Sequence, residues 1–143
     1  MSEILLNKVA SIQRCLHQVR DYDARPSDVP FEADHFKQDA IAANVQRACE
    51  QCIDLANHVV RLRKLGWPKE SRESFRLLAD AGLIPQELAG RLGRMVGFRN
   101  LLVHQYQPLD IGLLREVIDH RLEDLMTFTE ILVRQDVDES AIQ

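Results

Sequence analysis

Between Ile41 and Leu62 the apolar residues Ile41, Val45, Ala48, Cys52, Leu55, Val59 and Leu62 recur at alternating spacings of four and three. That rhythm keeps one face of an α-helix apolar over three heptads and has no counterpart in a strand, where inward positions recur every second residue. The pattern predicts a long helix ending near Gly66-Trp67-Pro68. An earlier stripe, Leu5, Val9, Ile12, Leu16 and Val19, has the same alternation and stops before Pro26 and Pro30. Two such faces, each apolar along one side only, must bury against other helices.

Further along, punctuation residues mark shorter elements. Ser71 is placed to cap a helix carrying Phe75, Leu77 and Leu78, with Gly82 just past its end. Pro85 fits the first turn of a fourth helix, whose stripe runs through Leu88, Leu92 and Met95 or Val96. Asp110, after Pro108, can cap a fifth helix burying Ile111, Leu114, Ile118, Leu122, Leu125, Phe128 and Leu132. The expected architecture is an all-α, up-and-down bundle of about five helices. Residues 1–135 form its single domain, and 136–143 are expected to be a frayed tail.

Composition narrows the function classes. At 143 residues the chain has room for one domain with its own core. No stretch approaches the roughly 20 apolar residues that span a bilayer, and the first residues lack the basic-then-apolar pattern of a secretory signal, so a cytoplasmic location is expected, with no membrane partner. Three cysteines give an odd count, and Cys49 and Cys52 lie inside a helical stripe, so reduced structural thiols are expected and no metal site. The net charge of −4 argues against a protein that coats nucleic acid, and no DNA partner is expected. Charge is nonetheless uneven: from Arg61 to Arg99 nine basic residues face four acidic ones, a local +5 that leaves −9 elsewhere. Such a segment can hold a polyanion at one place.

Following the fourth stripe past Met95 leads to Arg99, then Leu102 or Val103, then Tyr106. A permanent cation on an apolar seam costs several kcal/mol unless a partner compensates it. One account pairs Arg99 with a carboxylate such as Asp39, Asp54 or Glu123, which would make the chain a plain helical dimerisation module. The other account is chemical, because Arg99-Asn100-Leu-Leu-Val-His104-Gln-Tyr106 gathers a guanidinium, an amide, an imidazole and a phenol. Seven steps of about 100° put Arg99 and Tyr106 on one face, whereas His104, five steps from Arg99, points about 140° away. Either the helix loosens before His104, or a second copy of the chain completes the group.

Histidine exchanges a proton near neutral pH and arginine grips a phosphate with a fixed fork. Together they suffice for attack of an RNA 2′-OH on the adjacent phosphorus, with neither metal nor cofactor. The remaining histidines, His17, His35, His58 and His120, form no cluster and are read as ordinary packing or surface residues. Trp67 is read as a plug for the loop it occupies, and Lys64, Lys69, Arg72, Arg76, Arg91 and Arg94 as candidate phosphate contacts.

The motif Arg-x4-His-x-Tyr, met by Arg99, His104 and Tyr106 within Gly97-Phe-Arg-Asn-Leu-Leu-Val-His-Gln-Tyr, resembles that of the HEPN superfamily and, within it, the HepT toxins of HepT/MntA toxin–antitoxin systems. The resemblance continues through Gln38-Asp-Ala-Ile-Ala-Ala-Asn-Val-Gln-Arg-Ala, Ile53-Asp-Leu-Ala-Asn-His and Phe75-Arg-Leu-Leu-Ala-Asp-Ala-Gly, and so covers most of the chain. It implies a homodimeric endoribonuclease acting on tRNA or mRNA, its two motifs meeting in a cleft between protomers. By that resemblance His104 moves the proton, Arg99 orients the scissile phosphate and Asn100 supports it. Tyr106 would be the residue that an MntA-like nucleotidyltransferase antitoxin modifies with AMP. Some helical relatives instead serve as non-catalytic partners or regulatory subunits of nucleotidyltransferases, which is the alternative reading.

Overall fold

A computed structural model describes residues 3–102 and 109–142 of the chain. The described residues form six α-helices and one 3-10 turn at Phe31–Ala33, joined by loops: α1 (Glu3–Ala24), α2 (His35–Leu62), α3 (Ser71–Asp80), α4 (Gln86–Leu102), α5 (Ile111–His120) and α6 (Leu122–Ile142). None of them is long and apolar enough to cross a membrane. The long α2 is the centre of the bundle: α1 and α3 lie along it, α4 packs on α3 and α2, and α6 closes the far side against α1, α4 and α2.

The stripes read from spacing become the core. Leu5, Val9, Ile12, Leu16 and Val19 are all buried on α1, as are Ile41, Val45, Ala48, Cys52, Leu55 and Val59 on α2. Phe75 and Phe128 meet edge to face with ring centroids 5.4 Å apart, joining α3 to α6. Fully burying one such ring contributes about 1.5–3 kcal/mol. Leu62 departs from its stripe at 65% exposure. The chain leaves the helix there: Lys64 takes a left-handed φ of 55°, its N–H donates to the Arg61 carbonyl at 3.2 Å, and the Leu65 N–H donates to the Val60 carbonyl at 3.0 Å. This pair of bonds is a Schellman closure, with lysine where glycine is usual.

Caps explain most of the other boundaries. Asp34 starts α2 by accepting from the Lys37 N–H at 3.0 Å, and Asp110 starts α5 by accepting from the Leu113 N–H at 3.0 Å. Gly82, with φ of 78°, ends α3 in a second Schellman closure, the Leu83 N–H donating to the Leu78 carbonyl at 2.9 Å. Ser71 proves to be the first helical residue and not the cap of α3. Glu70 takes the cap position without a side-chain bond, while Glu73 accepts from the Lys69 N–H at 2.8 Å. Pro85 likewise sits one place before α4, where its carbonyl accepts from the Ala89 N–H at 3.1 Å.

The expected fifth helix is two. It breaks at Arg121, whose φ of −116° is stretched from the usual helical value, and its apolar face continues across the break through Ile118, Leu122 and Leu125, all buried. No glycine or proline marks the break. The helical backbone of α6 then runs on through 136–142, where fraying was expected.

Candidate functional site

Arg99 stands where the sequence places it, one turn beyond Met95 and Val96, both buried on α4. It is itself half-buried, and its charge reaches α2, where it pulls the Cys49 thiol down. Burial dominates at that thiol and pushes it up to about 12, and the Cys52 thiol is pushed up by burial as well. Both are therefore neutral in the folded protein. Cys15, Cys49 and Cys52 are all free and buried, and no group of His, Cys, Asp or Glu among the described residues has the arrangement of a metal site.

On its open side Arg99 lines a recess of about 420 Å³ together with Val96, Glu70, Ser71 and Arg72. Three elements build it: the last turns of α4, the start of α3, and the loop between α2 and α3. Arg72 lies along α4 over Gly93 and Gly97. A Cβ at Gly97 would stand 3.1 Å from the Arg72 guanidinium, and one at Gly93 would stand 3.8 Å from its Cγ. The two glycines thus form a groove, one turn apart on one face of α4, that carries the second arginine to the recess occupied by the first. Two forked cations around one recess suit a phosphodiester, which offers its non-bridging oxygens to paired N–H donors.

The other expected site residues divide into two groups. Asn100 is on the last turn of α4, but its side chain lies outside the described residues, as do His104 and Tyr106. Among the basic residues named as phosphate contacts, Arg91 is committed elsewhere, donating from Nε to Asp124 at 2.9 Å and tying α4 to α6. Arg76 is 3.7 Å from Glu73 on an exposed face. Arg72 is the one the structure brings to Arg99. The Gly93–Gly97 pair, four residues apart on the α4 face, was its signal in the sequence.

Trp67 does not plug its loop. It is 93% exposed. Along with Asn57, Val60, Arg61, Lys64 and Lys69 it borders a second, larger cleft of about 900 Å³, which shares Glu70 and Ser71 with the Arg99 recess. His58 is half-buried on α2, and burial, reinforced by Arg61 and Lys8, lowers its pKa and favours the neutral ring.

Residues 12–132 match the family model described as "Ribonuclease HepT-like". The chain is 42% identical over 132 residues to a Shewanella oneidensis protein named mRNA nuclease HepT, covering 92% of this chain and 98% of that protein. Its fold matches a solved tri-AMPylated HEPN toxin from Shewanella oneidensis in complex with its MNT antitoxin, with a TM-score of 0.86 and 42% identity over 94% of this chain and 99% of that one. A toxin–antitoxin complex solved with AMP-PNP is similar at a TM-score of 0.85 and 41% identity, over 93% of this chain and 99% of that one.

Proposed function

This chain belongs to the HepT-like ribonuclease family, and from that premise we propose that it is the toxin of a toxin–antitoxin pair, a metal-independent endoribonuclease that cuts mRNA or tRNA. The observation that carries the reading is Arg99, a permanent cation at the end of an otherwise apolar stripe, open to a recess that it shares with Arg72. Arg99 borders a space of ligand size, about 420 Å³, within the roughly 300–1,000 Å³ usual for such clefts.

In the reaction the RNA 2′-oxygen gives up its proton and forms a bond to the adjacent phosphorus, while the bond from phosphorus to the 5′-oxygen breaks. The departing oxygen takes a proton, and a 2′,3′-cyclic phosphate remains. His104 is assigned the proton transfers, Arg99 the orientation of the phosphate and the stabilisation of its added negative charge, and Asn100 a supporting hydrogen bond. Two protomers would form the cleft, which reconciles the angular separation of Arg99 and His104 along one helix. Control would fall to an MntA-like nucleotidyltransferase antitoxin. The Tyr106 hydroxyl would attack the α-phosphorus of ATP and pyrophosphate would leave. Each attached AMP would then bring negative charge and bulk to the place where RNA must bind.

The test is cleavage of RNA by the purified chain in EDTA. Arg99→Ala and His104→Ala each lower the rate about 100-fold or more, with helicity by circular dichroism unchanged; undiminished cleavage by both variants overturns the assignment. A plain dimerisation module predicts instead that Arg99→Met is neutral or stabilising. Incubation with the partner nucleotidyltransferase and ATP should add mass in AMP steps to the wild-type chain and none to Tyr106→Phe.

A further inference from the structure

Trp67 is the only tryptophan in the chain and, among the described residues, the most exposed large apolar side chain. Leaving an indole in water forfeits the largest burial any side chain can contribute, so its position calls for a partner. The loop also holds it there firmly. Lys64 closes α2 in the left-handed conformation, and Gly66, with φ of 144°, lays its backbone on Leu77, whose Cδ2 would be 3.3 Å from a Cβ at that position. Pro68 follows, restricting Trp67 to extended backbone. An indole presented on a braced loop loses little freedom when something stacks on it.

Its surroundings indicate what that partner is. The cleft beside Trp67 carries Arg61, Lys64 and Lys69 against the single acid Glu70. Protein interfaces are depleted in lysine around their aromatic anchors, whereas single-stranded nucleic acid is held by aromatic faces set among cations that follow the backbone. The cleft also adjoins the recess of Arg72 and Arg99, the two sharing Glu70 and Ser71 in their walls. We propose that the Trp67 cleft is a substrate subsite that stacks an unpaired base of single-stranded RNA and leads the strand to the Arg99 recess. Arg61, Lys64 and Lys69 take its phosphates. The proposal rests on the ribonuclease reading above and adds where the strand lies.

Because Trp67 alone supplies indole emission, its fluorescence reports on the cleft directly. The full chain is titrated with a short 2′-O-methylated oligouridylate, whose blocked 2′-oxygen prevents cleavage. Saturable quenching is expected. By anisotropy of the labelled oligomer, Trp67→Ala weakens binding about ten-fold and Trp67→Phe restores most of it. Replacing Arg61, Lys64 and Lys69 together by glutamine flattens the salt dependence of log K by about two units of slope. On long RNA, Trp67→Ala raises KM more than it lowers kcat. Quenching without cleavage by the wild-type chain supports the subsite and overturns only the nuclease reading. Cleavage with neither quenching nor weaker binding by Trp67→Ala overturns the subsite and leaves the nuclease reading standing. If Trp67→Ala binds the oligomer normally but fails to bind the nucleotidyltransferase partner, the cleft is a protein interface and the proposal is overturned.

Discussion

At the scale of single residues, stability and chemistry use arginines differently. Arg115 of α5 donates from both terminal nitrogens to the two oxygens of Asp23 on α1, each at 2.8 Å, bonds also to Asp119, and lies 5.0 Å from the ring centre of Phe31. Those bonds hold the Asp23 carboxyl below its ordinary 3.8 and raise Arg115 further above its already high value. Both side chains are partly in water, so the pair is worth about 0.5–1 kcal/mol. A carboxylate with a depressed folded pKa contributes stability that is complete above its unfolded value and is lost as pH falls through the folded one. Asp23→Asn should therefore lower urea stability by that amount at neutral pH, and the gap to wild type should close as pH drops below 3.8. A gap that persists in acid would mean the contribution is packing rather than charge. The two residues are 92 positions apart, so nothing local in either segment could have paired them. Arg99, in contrast, was legible as an anomaly because the stripe that leads to it is continuous.

At the scale of elements, the apolar rhythm located α1 and α2 well because burial of a helix face depends only on spacing within that helix. It failed where a boundary depends on something else. Leu62 keeps the rhythm yet is exposed, because the left-handed Lys64 turns the chain off α2 before that face meets a neighbour. The break at Arg121 is silent for the converse reason, the apolar face through Ile118, Leu122 and Leu125 staying buried on both sides of it. The α3–α4 contact offers a test in which fold and function separate. Gly97→Ala gains helix propensity of up to about 1 kcal/mol, and the Arg72 guanidinium 3.1 Å away is the far end of a flexible chain that can swing aside. Thermal stability should be equal or higher while RNA cleavage falls. A variant that is stabilised and fully active would remove Arg72 from the site.

At the scale of the whole molecule, the bundle delivers Arg99 and Arg72 to one recess but draws them from different helices, and the proposed dimer extends the same logic across two chains. If each active site takes Arg99 from one protomer and His104 from the other, mixing inactive Arg99→Ala and His104→Ala chains through an unfolding and refolding step should restore partial cleavage. Mixed dimers would contain one intact site. No recovery, with mixed dimers verified by mass, would place both groups of a site on the same chain.

Spacing along the chain was enough to determine the helical class, the inward faces and the candidate motif, since each follows from a short period or a local run of residue types. Tertiary structure alone decided that Arg72 joins Arg99 over the glycine groove, that Arg91 is spent on Asp124, and that Trp67 faces water beside a basic cleft. The reason is physical: a helix's own period specifies which way a side chain points, but the neighbour it meets depends on how separate helices cross and on where each one stops.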